Sequence, residues 1–325
     1  MTQIVVKYKE FKKPFSYRDF IEWGTFKTVI ERVVEKWDCF DYIKRSIENG
    51  DLTEYVKNAN SIFAEPFSGV FLTKNDLQEI VLSDVFYAYM WSYSYFFLIL
   101  HDYSVTYSKA MHGIGSPTNA PTYDMLAGAV LAKQHADLKI VSGTTRDTWD
   151  YYPHTKSLLP NPFIVEEQLE FYISKVNGIY AYAVAFIMGH EYHHFFYGDN
   201  YKELDAEESQ KNELDADATS LEKYAILETV EERNTFAAGI ATALMVIMLL
   251  EKRPDFPSED ADSGHPQTIL RIMKDVEKLS LPDDDPLYDY LGFLFESYST
   301  QSMQNTSIQY GTAKEYFEKM LTKMD

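Results

Sequence analysis

Cysteine is almost missing from this 325-residue sequence: Cys39 stands alone, so no internal disulfide can form and no thiolate metal site can be assembled. Such a chain suits a reducing compartment, and a cytoplasmic location is expected. Positive charge is also scarce. Thirty Lys and Arg face fifty Asp and Glu, for a formal net charge of −20. That balance repels phosphate backbones and anionic membrane surfaces, which excludes nucleic acid as a partner. A membrane-spanning helix needs about 20 apolar residues. The two longest apolar stretches, 86–100 and 236–250, have fifteen residues each, and the first contains two serines and four tyrosines. Both read as buried core helices, so no membrane span is expected. Residues 1–14 carry Lys7, Lys9, Lys12 and Lys13 with no apolar core between them, unlike a signal peptide. There is no internal repeat and no low-complexity segment.

What the chain does have is 46% hydrophobic and 15% aromatic residues, enough to bury a substantial core. Apolar spacing near 3.6 residues dominates, so the expected fold class is mainly α with a small β-hairpin or edge strand. An N-terminal helical accessory region over 1–80 and a main domain over 81–325 are expected, with a soft boundary. Within the first region Ile4–Val6 suggests a short strand and Ser16 a helix cap, and Val70-Phe71-Leu72 reads as extended across a Pro-, Gly- and Asn-containing break. Helices are expected over 83–111, with its aromatic stripe as core packing, and over 123–136. The run Leu138-Lys139-Ile140-Val141 is the best strand candidate. Further helices are expected from near Glu166 to Tyr197, through 212–225, through 236–250, after Pro266, and twice within 287–324.

The most informative stretch is His190-Glu191-Tyr192-His193-His194, inside an apolar helical run. Residues four apart project from one helix face, so His190 and His194 can grip one metal ion, with Glu191 beside them to take a proton from a water held there. Buried histidines without partners would cost several kcal/mol each, and a metal is one way to satisfy them. His193 is a helical neighbour of His190 too, which leaves a second register open. A catalytic zinc site takes three protein ligands and keeps one position for water. Glu213, in Asn212-Glu213-Leu214-Asp215-Ala216-Asp217, can be the third ligand, and Asp217 one turn later can accept the far N–H of a ligand imidazole. Glu203, Asp205, Glu207 and Glu208 compete for that place. Glu213 is preferred because it is paired with an acid one turn on, beside an apolar face of Leu214, Ala218, Leu221 and Ala225.

HExxH followed by a helix bearing ExxxD resembles the gluzincin metallopeptidases. Gly264-His265-Pro266, with Arg271 after four intervening residues, resembles the HPxxxxR element of the CAAX-prenyl-protease and HtpX-like branch. The phage-exclusion Lit-type peptidases are a second similar group. The matched elements span residues 179–274, about a quarter of the chain. One departure is His193, at a position usually uncharged. The resemblance implies a zincin-like helical core, one Zn2+ on His190, His194 and Glu213, Glu191 as general base, Asp217 orienting a ligand histidine and His265 stabilising the oxyanion. Tyr192, Tyr197 and Tyr201 are alternative oxyanion donors, and Arg271 can hold a carboxylate of the site. The expected activity is that of a soluble zinc endopeptidase acting on a protein or peptide substrate, and for the Lit-type group a host protein under control of a phage component. Two other readings stand beside it: a helical di-iron carboxylate protein built on Glu-x-x-His pairs, and a catalytically silent zinc-binding protein.

Overall fold

In a computed structural model of the chain, the described residues are 70–72, 80–82, 84–111, 113, 120–142, 170–197, 205–221, 227, 229–251, 268–300 and 311–323. They form two short strands, β1 (Val70–Leu72) and β2 (Ile80–Leu82), and eight helices. The helices are α1 (Asp84–Met111), α2 (Tyr123–Ser142), α3 (Glu170–Tyr197), α4 (Ala206–Leu221), α5 (Val230–Glu251), α6 (Thr268–Lys278), α7 (Pro286–Thr300) and α8 (Ala313–Leu321). The fold is mainly α. The strands pair antiparallel, Val70 opposite Leu82 and Leu72 opposite Ile80, and β1 lies against α3. The expectations over 1–69, including the Ile4–Val6 strand and the Ser16 cap, lie outside the described residues.

Helix α5 occupies the centre, packed by α3, α7, α1 and α6. Its apolar residues from Phe236 to Leu250 therefore meet neighbours on several sides, and Phe236, Ile240, Leu244 and Val246 are buried. By length and composition Val230–Leu250 passes as a membrane-crossing helix, yet 72% of its most apolar 18-residue stretch is buried inside the protein. Helices α3 and α5 approach closely at Gly239. A Cβ there would lie 2.6 Å from Tyr182 Cβ and 2.9 Å from the Ile179 carbonyl oxygen, so only hydrogen fits. The aromatic stripe of α1 packs into the same core: Tyr89, Trp91, Tyr93, Tyr95 and Phe97 are buried.

Polar ties fix the bundle where apolar burial alone would leave it free to slide. Trp91 Nε1 donates to Asn177 Oδ1 at 2.9 Å, joining α1 to α3. The Tyr316 hydroxyl donates to Glu296 at 2.8 Å, joining α8 to α7. His101 on α1 sits between Asp102 at 3.2 Å and Asp289 of α7 at 3.1 Å, with its ring stacked on Tyr290. Burial disfavours charge on this imidazole, but the two carboxylates outweigh it and raise its pKa to about 9.

Two sequence expectations need correction. Leu138–Val141 is not a strand: α2 runs unbroken from Tyr123 to Ser142. Once the Ala-rich start of the helix has formed, each added residue gains a hydrogen bond, whereas Ile and Val lose only tenths of a kcal/mol against better helix formers. The buried face of α4 is also polar rather than apolar. Glu213, Ala216, Asp217 and Ser220 are buried with Leu221, whereas Leu214 and Ala218 are only half-buried.

Candidate metal centre

Helices α3 and α4 build the site together. Their close approach rests on Gly189, where a Cβ would come within 2.9 Å of Ser220 Oγ. Helix α4 starts on a reciprocal cap: the Glu208 N–H donates to Asp205 Oδ1 at 2.9 Å, and the Asp205 N–H approaches Glu208 Oε2 at 3.4 Å. Two of the competing carboxylates are thus engaged at the exposed end of α4, and Glu207 is exposed beside them. Glu203 lies outside the described residues. Two turns into the helix, Glu213 points into the interior.

There the three expected donors meet. His190 Nε2 lies 3.3 Å from Glu213 Oε2, His194 Nε2 lies 3.2 Å from Glu213 Oε1, and the two ring nitrogens are 3.1 Å apart. The imidazole planes are nearly perpendicular, and all three residues are buried. Among the described residues this is the one group with metal-ligand spacing. His193 is not part of it. Its Nδ1 lies 2.9 Å from Thr219 Oγ1, whose own hydrogen goes to the Asp215 carbonyl, so the threonine must accept and His193 Nδ1 must carry the proton. The pair with metal-ligand spacing is thus His190 with His194.

The donor chemistry fits a cation. His190 Nδ1 lies 2.8 Å from Asp217 Oδ1, an acceptor, so the proton of a neutral ring sits on Nδ1 and Nε2 turns a lone pair toward the Glu213 carboxylate. Three electron-rich atoms converging in a buried place repel one another unless a proton or a metal ion lies between them. Without a metal the proton takes the place: burial opposes the charge, but Asp217 and then Glu213 raise the His190 pKa to about 10.

A second layer holds the first. Arg271 of α6 grips Asp217 with two bonds, Nε to Oδ2 at 2.7 Å and Nη2 to Oδ1 at 2.8 Å. Its Nη1 reaches Glu213 Oε2 at 3.5 Å, so one guanidinium steadies both acids of α4. The 3.4 Å approach of Arg271 Nη2 to His190 Nδ1 brings two donors together on the same Asp217 oxygen. Burial disfavours the Asp217 charge, yet Arg271 and His190 hold its carboxyl well below the usual range. Lys278 fastens α6 to α4 through the Leu214 carbonyl at 3.0 Å.

The structure thus brings together His190, His194, Glu213, Asp217 and Arg271. Glu191 lies in α3 directly after His190. His265 lies outside the described residues, as does Tyr201. Sequence reasoning passed over Asp275, a buried acid of α6 facing Asp217. Its place one turn after Arg271 was the available signal.

A helical bundle with two histidines and a glutamate buried around one point is a protein equipped to hold a metal ion. The chain belongs to the family described as Peptidase U49, which matches residues 80–291, and so to the peptidases. The match contains α1 through α6 and the whole of this site. Comparison with curated proteins and with solved structures gave no match.

Proposed function

We propose that the chain is a zinc-dependent endopeptidase that cleaves peptide bonds of a protein or peptide substrate in the cytoplasm, in the manner of the gluzincins it resembles. The observation that carries this reading is the convergence of His190, His194 and Glu213. The two ring nitrogens are 3.1 Å apart, and each lies 3.2–3.3 Å from one oxygen of the Glu213 carboxylate, close enough for the three groups to share one ion. A single donor group among the described residues favours one ion over the pair of a di-iron protein.

When bound, zinc supplies Lewis acidity, drawing the pKa of water in its open position to about 7 and polarising a carbonyl. His190 and His194 would hold it through Nε2, and Glu213 through its carboxylate. Asp217 retains the Nδ1 proton of His190, which keeps the Nε2 lone pair aimed inward. Arg271 keeps Asp217 ionised and in place. Glu191 takes a proton from the attacking water onto its carboxylate and returns it to the nitrogen of the leaving amine. His265, just before α6, donates to the oxygen on which negative charge develops.

The test is Glu191→Gln, assayed on a library of fluorescence-quenched peptides. The variant is expected to retain one zinc per chain and to lose at least about a hundredfold in turnover. Full activity in this variant would refute the assignment.

A further inference from the structure

Asp275 lies on α6, one turn beyond Arg271, and is 0% exposed. No N–H or O–H donor among the described residues reaches either of its oxygens. An ionised carboxylate in that position would bear a desolvation cost of several kcal/mol with nothing to offset it. The charged groups facing it are Asp217 on α4 and Arg271 and Lys278 on its own helix. Arg271 directs its donors at Asp217 and Glu213 instead. Burial first, then the neighbouring Asp217 charge, push the Asp275 pKa up to about 9 against the pull of the two cations.

Asp217 has room for one more hydrogen bond. Its Oδ1 accepts from His190 Nδ1 and Arg271 Nη2, both at 2.8 Å, whereas Oδ2 accepts only from Arg271 Nε at 2.7 Å. A carboxylate offers about four lone-pair sites. One site on Oδ2 therefore remains unfilled among the described donors, next to an acid that lacks a donor of its own.

We propose that Asp275 is kept as the neutral acid and that its carboxyl O–H donates to Asp217 Oδ2, which makes it a positioning residue for His190. Four donors then saturate Asp217. It holds the His190 Nδ1–H without drawing that proton away, and its place between α4 and α6 is fixed from both sides. Asp275 touches neither substrate nor the donor atoms of the site; it acts through Asp217. The consequence for metal binding rests on the zinc reading above, whereas the location of the proton does not.

Infrared difference spectroscopy on metal-free protein at neutral pH, wild type minus Asp275→Asn, reads the proton directly. A carboxylic-acid C=O band is expected in the wild type and missing from the variant; its absence from the wild type overturns the proposal. Zinc titration adds a second readout: Asp275→Ala should bind about 10–100-fold more weakly, while Asp275→Asn, a neutral donor of similar shape, should stay within about threefold. Equal losses in both variants, or none in Asp275→Ala, also overturn it. Should Asp275→Ala fail to fold, the infrared comparison still decides. A wild-type band accompanied by no zinc binding in any form would leave the proton where we place it and defeat the peptidase mechanism instead.

Discussion

At the scale of single residues, the site is held by buried charges that need one another. Arg271 is 6% exposed and Asp217 is 0% exposed, so neither can turn to water for a substitute partner. Arg271→Met should cost about 3–5 kcal/mol in urea denaturation, because it strands a buried Asp217 charge. It should also weaken zinc binding by about 10–100-fold through the loosened His190. A variant with wild-type stability would show that the guanidinium carries none of this burden. The convergence of these side chains was legible in part because i, i+4 spacing is local: it places His190 with His194 and Glu213 with Asp217 before any packing is known. The choice of Glu213 among five acids rested on its partner one turn on. Asp275 escaped because its spacing from Arg271 was the only local mark, and its neighbour Asp217 is 58 residues away in sequence.

At the scale of elements, the site depends on how closely two helices approach. Gly189→Ala would press a methyl group against Ser220 Oγ. Overpacking of this kind costs about 1–3 kcal/mol, and here it pushes α4, with Glu213 and Asp217, away from α3. Weaker zinc binding and a lower melting temperature are expected. Ser220→Ala in the same chain should restore most of both, since it removes the opposing oxygen. No rescue would mean that this contact does not set the spacing. Most elements were readable from apolar period: α1, α3, α5 and the α7–α8 pair fall close to their expected ranges. The two misreadings have physical causes. Leu138–Val141 followed β-branched propensity, which an already formed helix overrode. The face of α4 was assigned by hydrophobicity, yet it buries Glu213 and Asp217, which Arg271 and the histidines satisfy, and Ser220, whose hydroxyl donates to the Ala216 carbonyl, a pattern to which an apolar period is blind.

At the scale of the whole molecule, the bundle is tied far from the site by His101, whose imidazolium links α1 to α7 through Asp289. Its folded pKa of about 9 exceeds the ordinary 6.5, so its contribution is fully present below pH 6.5 and is lost as pH rises through 9. The shift corresponds to about 3 kcal/mol at most. Unfolding experiments should therefore find wild type and His101→Gln furthest apart near pH 6 and converging by pH 10. A constant gap across that range would contradict the clamp.

Family membership makes the chain a peptidase, and its buried His-His-Glu group could hold a metal ion, on which the proposed mechanism rests. The most direct test is metal content by mass spectrometry after dialysis against low free zinc, for the wild type beside Glu213→Ala. About one zinc per wild-type chain, and little in the variant, is the expected result; equal occupancy in the two would mean that the metal, if it binds, binds elsewhere.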